Sequence, residues 1–278
     1  MKLIVVGAGI AGSALCQLAE ERGHDVTLVS DGVPDSLAAT AVLRRGYHAG
    51  KPDQLAALDY ALDCYQRWGV PVRRGGLGQS YRRLGDEPVA DEDWLLLDPA
   101  APLAEPDVRA EILTVKNGTA WLGAGRSLEG DAVVVATGAR EGNLQATGSV
   151  TWGVTLVHSH PEALRDEQIR IYQWAPYRTI VAGVVNGEAR VGSSSARSPD
   201  AARNQMTKML EKAWGLGWLT TRKSWGEVLG ARLKTEQLSW RDPEDGAWRL
   251  AGFHRTGYAL APAAARDLLS EIELTVSG

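Results

Sequence analysis

Gly7, Gly9 and Gly12 fall at the spacing G-x-G-x-x-G. Residues so spaced suit close contact between backbone and a pyrophosphate. Gly7 permits a tight turn, Gly9 lets the main chain approach the phosphates, and Gly12 lets a helix lie close on a strand. With Ala8, Ile10 and Ala11 completing the loop, phosphate oxygens meet free N–H groups at a positive helix end.

The flanking residues supply the elements this chemistry needs. Leu3, Ile4, Val5 and Val6 read as a buried parallel strand, and Ala14, Leu15, Leu18 and Ala19 form a helical stripe that Gly23 can end. Residues 26–29 form the next strand, giving a Rossmann-type dinucleotide-binding βαβ unit. A residue at the end of that second strand normally holds the ribose hydroxyls. Ser30 stands there, followed by Asp31, and either can serve.

Two further segments bear on which dinucleotide is bound. The stretch Asp131-Ala-Val-Val-Val-Ala-Thr-Gly-Ala139 resembles the second signature of flavoproteins, in which small residues (here Ala136, Thr137 and Gly138) allow backbone contact with FAD. Gly252-Phe-His-Arg-Thr-Gly-Tyr-Ala-Leu-Ala-Pro-Ala-Ala264, followed by a helical pattern over 265–274, resembles the flavin-closing segment of the D-amino-acid oxidase superfamily, glycine oxidase most closely. Gly230-Ala-Arg-Leu-Lys-Thr235 is similar to the arginine-bearing segment before that loop.

The resemblance implies FAD as cofactor and places Arg255, Thr256, Gly257, Tyr258 and Ala259 along the flavin's pyrimidine edge. The following helix then points its positive end at the flavin, with Pro262 in the first turn. Ser36, Ala39 and Thr40 are expected beside the flavin ring. Arg255, and after it Arg232, are the implied holders of a substrate carboxylate, because a guanidinium gives a carboxylate two charge-assisted hydrogen bonds. Tyr172 and Tyr177 are expected to line the substrate pocket.

The resemblance implies that these segments interleave two units in an α/β chain. Residues 1–45, 110–147 and 245–278 are expected to make a Rossmann-like FAD-binding domain, and 46–109 with 148–244 a second, smaller antiparallel-sheet substrate domain, the D-amino-acid oxidase (glutathione-reductase-2) arrangement. Leu55, Leu58, Leu62 and Tyr65 predict a helix across 51–69, and residues 200–214 a second. Alternating segments over 151–195, with a turn at Asn186-Gly187, predict antiparallel strands. The connection from Leu97 to Val115 is too short for the long helix usual in that superfamily.

With 278 residues, 44% of them hydrophobic, the chain can bury a sizeable core. No segment is apolar enough to span a membrane, and a cytoplasmic enzyme is expected. Cys16 and Cys64 read as core thiols, and the five histidines show no metal-ligand spacing.

The net charge of −4 hides segregation: residues 41–85 hold eight Lys or Arg against three acids, whereas 86–111 hold nine acids against one Arg. A solvated basic face balanced by an acidic loop accounts for this. So does a phosphate-tracking patch interleaved with Tyr47, Tyr65, Trp68 and Tyr81.

The expected reaction is oxidation of the C–N bond of glycine or an N-substituted glycine, with hydride transfer to flavin N5 and release of glyoxylate and an amine. The same chemistry on a glycyl-modified thymine in DNA, as in phage hypermodification, or on a modified tRNA uridine is the alternative. A nicotinamide dehydrogenase or a non-catalytic flavoprotein is the competing class.

Overall fold

A computed structural model describes residues 1–80, 89–139, 148–175, 178–192 and 194–278. Its first unit is built on a five-stranded sheet in the order Ser239–Arg241, Trp248–Leu250, Ala132–Val135, Lys2–Val6, Asp25–Val29. Lys2–Val6 pairs in parallel with both neighbours, and its residues from Leu3 to Val6 are buried on both faces. Leu3 and Val5 meet a helical layer, while Ile4 and Val6 meet Val115, Ala120 and Leu122 of the three-stranded sheet Ile112–Lys116, Thr119–Leu122, Arg126–Glu129. Such continuous apolar runs are what a doubly covered parallel strand requires.

Four α-helices are present among the described residues: α1 Ile10–Glu21, α2 Pro52–Arg67, α3 Pro199–Gly215 and α4 Gly257–Ser277. The first two and the last form the helical layer. Leu15, Leu58, Tyr65, Leu268 and Leu269, all fully buried, share its core. Full burial of side chains this large contributes about 1.5–3 kcal/mol each.

The second unit is an eight-stranded sheet. Its order is Gly226–Lys234, Ser149–His158, Glu188–Gly192, Arg178–Val185, Arg170–Ala175, Val72–Ser80, Val89–Leu97, Val42–Arg44. Pairing is antiparallel except between Arg170–Ala175 and Val72–Ser80. Asn186 and Gly187, with φ of 50° and 77°, make the tight hairpin turn that their types favour. Met206, Met209 and Ala213 of α3 cover one face. The opposite face carries Trp94, Ile171 and Val181, of which Trp94 and Val181 line a cleft.

Three pieces fall outside the boundaries expected from sequence. Helix α2 packs on α1 and α4 because its stripe Leu58, Ala61, Tyr65 matches their core. Val42–Arg44 joins the edge of the eight-stranded sheet, and Ser239–Arg241 joins the five-stranded one. The 98–111 connection contains no helix. Among the described residues no helix is long and apolar enough to cross a membrane.

Candidate active site

The glycine turn is held by contacts that leave no room for side chains at Gly7 and Gly12. Gly7 has φ of +107°, donates its N–H to Val29 O at 2.8 Å, and would set a Cβ 2.7 Å from Ala136 O. A Cβ on Gly12 would lie 1.9 Å from Gly7 O, so α1 sits directly against the turn. Gly9 caps α1, and the helix's first turn contains no acid to compete with an anion for its N–H groups.

One cleft of about 1330 Å³ begins at this turn. That exceeds the roughly 300–1,000 Å³ of ordinary small-ligand sites, as a dinucleotide plus substrate requires. Gly7, Ala8, Gly9, Ile10 and Ala11 line it together with Ser30 and Asp31 at the end of the Asp25–Val29 strand. Ala136, Thr137 and Gly138 line it from the end of Ala132–Val135. Ligands of parallel sheets bind at these C-terminal strand ends.

At the far end, Arg255, Thr256, Gly257, Tyr258 and Ala259 form the wall, and α4 starts there. Its positive pole therefore faces the cleft. Pro262 lies within the helix, five residues past its start, not in the first turn as expected, because helical geometry begins already at Gly257. Ser36 lines the cleft beside the glycine turn, its Oγ accepting from Ile10 N–H at 3.0 Å.

Of the two arginines, Arg232 is the interior one. Its Nη1 donates to Ser194 O at 2.9 Å, and its guanidinium occupies the space that a Cβ on Gly153 would fill, 2.2 Å from its Nη2. Burial, then the nearby Arg255 charge, lower its pKa to about 10, against the opposing pull of Asp35. It stays cationic at neutral pH in a cleft that favours an anion. Arg255 is exposed on the wall beside it.

His254 lies between these arginines in sequence space and chemistry. It holds φ of +49°, places Nε2 2.9 Å from Thr151 Oγ1, and lines the cleft. Burial and the charges of Arg232, Arg255 and Lys234 push its pKa down to about 4, so it adds no third positive charge at pH 7.

Tyr172 does not line the cleft. It points to α3, where the Lys212 ammonium lies 4.8 Å from its ring centroid. Strand alternation explains this: Ile171 and Gln173 face the other side, and Gln173 lines the cleft in its place. Tyr177 lies outside the described residues. The alternation from Ile169 through Ile171 was the signal for Gln173, and Gly153 was a signal for the guanidinium seated on it. Trp152 and Thr179 also line this end.

Cys16 and Cys64 are free and buried, and burial pushes the Cys16 thiol up. Among the described residues no group of three His, Cys, Asp or Glu is arranged to hold a metal. Among the described residues, several cations of the basic stretch are engaged within the chain. Arg45 pairs with Asp59, Arg67 with Glu21, and Arg73 donates to the carbonyls of Val184 and Glu167.

Residues 1–187 match the family model described as pyridine nucleotide-disulphide oxidoreductase. The chain belongs to that family. No curated protein matches the sequence. Iminodiacetate oxidase from Chelativorans sp. BNC1 shares the fold, with 16% identity, 98% of this chain and 95% of that one covered, and a TM-score of 0.72. Glycine oxidase from Geobacillus kaustophilus gives 16% identity, coverage of 98% and 94%, and a TM-score of 0.69. The glycerol-3-phosphate dehydrogenase from Bacillus halodurans, solved with FAD, gives 15% identity, coverage of 100% and 65%, and a TM-score of 0.69. Family and fold make the chain an FAD-dependent oxidoreductase of the glycine oxidase structural type. The cleft fits that cofactor: the close-packed glycine turn and a helix start without acids would receive one end of a dinucleotide, and the α4 pole the other.

Proposed function

We propose that this oxidoreductase oxidises the carbon next to nitrogen in glycine or a small N-substituted glycine, so that water then releases glyoxylate and an amine. The observation that carries the reading is Arg232, a half-buried arginine that lines the cleft from the sheet and is anchored by its bond to Ser194 O. FAD, when bound, supplies the acceptor for the hydride removed from that carbon.

The chain's own residues supply geometry. Arg232 offers the fork that pairs with an α-carboxylate, and Arg255 adds a second positive charge at the wall. Neutral His254 keeps this end of the cleft from accumulating further charge. Gly7 to Ala11, Ser30 or Asp31, and Ala136 to Gly138 are the proposed dinucleotide contacts, with Ala39 and Thr40 beside the ring. The family's disulphide chemistry finds no partner pair, since both cysteines are free and buried in separate helices.

Replacing Arg232 by Ala tests the reading. FAD stays bound, and KM for glycine rises by about 10–100-fold, the loss of a charge-assisted hydrogen-bonded pair. Arg255→Ala is expected to abolish turnover, again with FAD retained. Unchanged kinetics in both variants overturn the carboxylate role.

A second reading keeps the chemistry and places the glycyl group on a nucleobase. It is favoured by the cleft residues Arg44, whose guanidinium carbon lies 4.6 Å from the Trp94 ring centroid, and Tyr47, which is 57% exposed. Stacking surfaces and cations at one opening suit a base and its phosphate. A glycyl-methyl pyrimidine in a DNA strand, competing with glycine for oxidation in a salt-dependent way, distinguishes this reading.

A further inference from the structure

The stretch Ser36–Ala38 leads into Ala39, Thr40 and Ala41, which line the cleft. Its three successive carbonyls are each taken by a side chain from a different element. Tyr258 of α4 places its hydroxyl 2.9 Å from Ser36 O, sharing its one proton with Pro99 O at 2.8 Å. Arg190 Nη1, on the Glu188–Gly192 strand, donates to Leu37 O at 3.3 Å. Thr155 Oγ1, on Ser149–His158, donates to Ala38 O at 2.6 Å.

Such consecutive capture is not a packing accident of one element. Within this short 3-10 turn Ser36 O also accepts from Ala39 N–H at 3.1 Å, and burial makes an unpaired carbonyl costly. Two donors come from the eight-stranded sheet and one from the helix whose start faces the cleft. The side chain of Ser36 meanwhile takes Ile10 N–H at the glycine turn. Gly230 completes the fit, since a Cβ there would lie 2.6 Å from Ala38 Cβ and 2.8 Å from Asp35 O.

We infer that Tyr258, Arg190 and Thr155 are positioning residues for the cofactor: by pinning the carbonyls of Ser36, Leu37 and Ala38 they hold the glycine turn, the 39–41 stretch and the α4 start in one fixed arrangement ready for a flavin dinucleotide. The inference rests on FAD being the cofactor. Because the arrangement is set within the protein, binding orders little, and its affinity depends on these side chains through the backbone they hold.

The test is FAD binding to the deflavinated protein, followed by quenching of flavin fluorescence, for wild type, Tyr258→Phe, Thr155→Val and Thr155→Ser. Tyr258→Phe and Thr155→Val are expected to raise Kd about tenfold, the worth of one buried hydrogen bond. Thr155→Ser keeps the hydroxyl and restores wild-type affinity. Circular dichroism reports whether each variant folds, and the Thr155 pair decides the matter should Tyr258→Phe not fold. Folded variants with wild-type Kd overturn the inference. A wild-type protein that binds no FAD overturns the cofactor reading instead.

Discussion

The Tyr65 hydroxyl donates at 2.6 Å to the backbone carbonyl of Tyr258. That carbonyl is the one from which Pro262, four residues on, withholds a helical N–H. A side chain of α2 thus completes the hydrogen bonding of α4 one turn from the cleft.

Removing the donor leaves a buried carbonyl unpaired. Tyr65→Phe is expected to lower stability by about 1–3 kcal/mol in denaturant unfolding. In a Pro262→Ala background the restored N–H takes over, and the same substitution costs less. Equal costs in both backgrounds count against this pairing.

Gly12→Ala drives a Cβ into Gly7 O, a backbone atom with no room to yield. Overpacking of this kind sits at the upper end of ~1–3 kcal/mol, and FAD binding is expected to be lost with it. Gly9→Ala meets only Ser36 Oγ at 3.3 Å and is expected to be milder. Reversal of that order speaks against the turn described.

Gly153→Ala tests the placement of Arg232. The added methyl meets the tip of Arg232, which swings aside and releases Ser194 O, so unfolding stability is expected to fall by about 1–3 kcal/mol. The guanidinium leaves its place, and KM for glycine is expected to rise about tenfold or more with FAD still bound. An unchanged KM argues against Arg232 as the carboxylate partner.

His254 gives a pH signature. Its pKa falls from an ordinary 6.5 to about 4 on folding, so between those values the unfolded chain binds the extra proton. The stability this group contributes is fully present above pH ~6.5 and is lost as pH falls toward about 4. His254→Asn, which tolerates the positive φ, is expected to flatten this part of the stability profile. A profile as steep as wild type places the proton uptake elsewhere.

What was legible in the sequence was local. The glycine turn, the Ala136-Thr137-Gly138 strand end and the Asn186-Gly187 hairpin each announce themselves within a dozen residues, because backbone geometry there demands small residue types. Tyr172 misled because aromatic type drew attention where strand phase decided: the cleft took Gln173. Helix α2 was foreseen, but its partner was not, since an apolar stripe does not say which core it meets. The bonds from Tyr258 to Ser36 and from Thr155 to Ala38 join residues more than a hundred positions apart, and only the folded chain brings them together.

The most direct test is anaerobic reduction of the purified FAD-loaded protein, watched in the visible flavin bands, with glycine, sarcosine, a glycyl-methyl pyrimidine in DNA, and NADH offered separately. Bleaching by a glycine derivative, lost in Arg255→Ala and needing about 10–100-fold more substrate in Arg232→Ala, is the predicted result. Bleaching by NADH alone, with every glycine derivative inert, contradicts it.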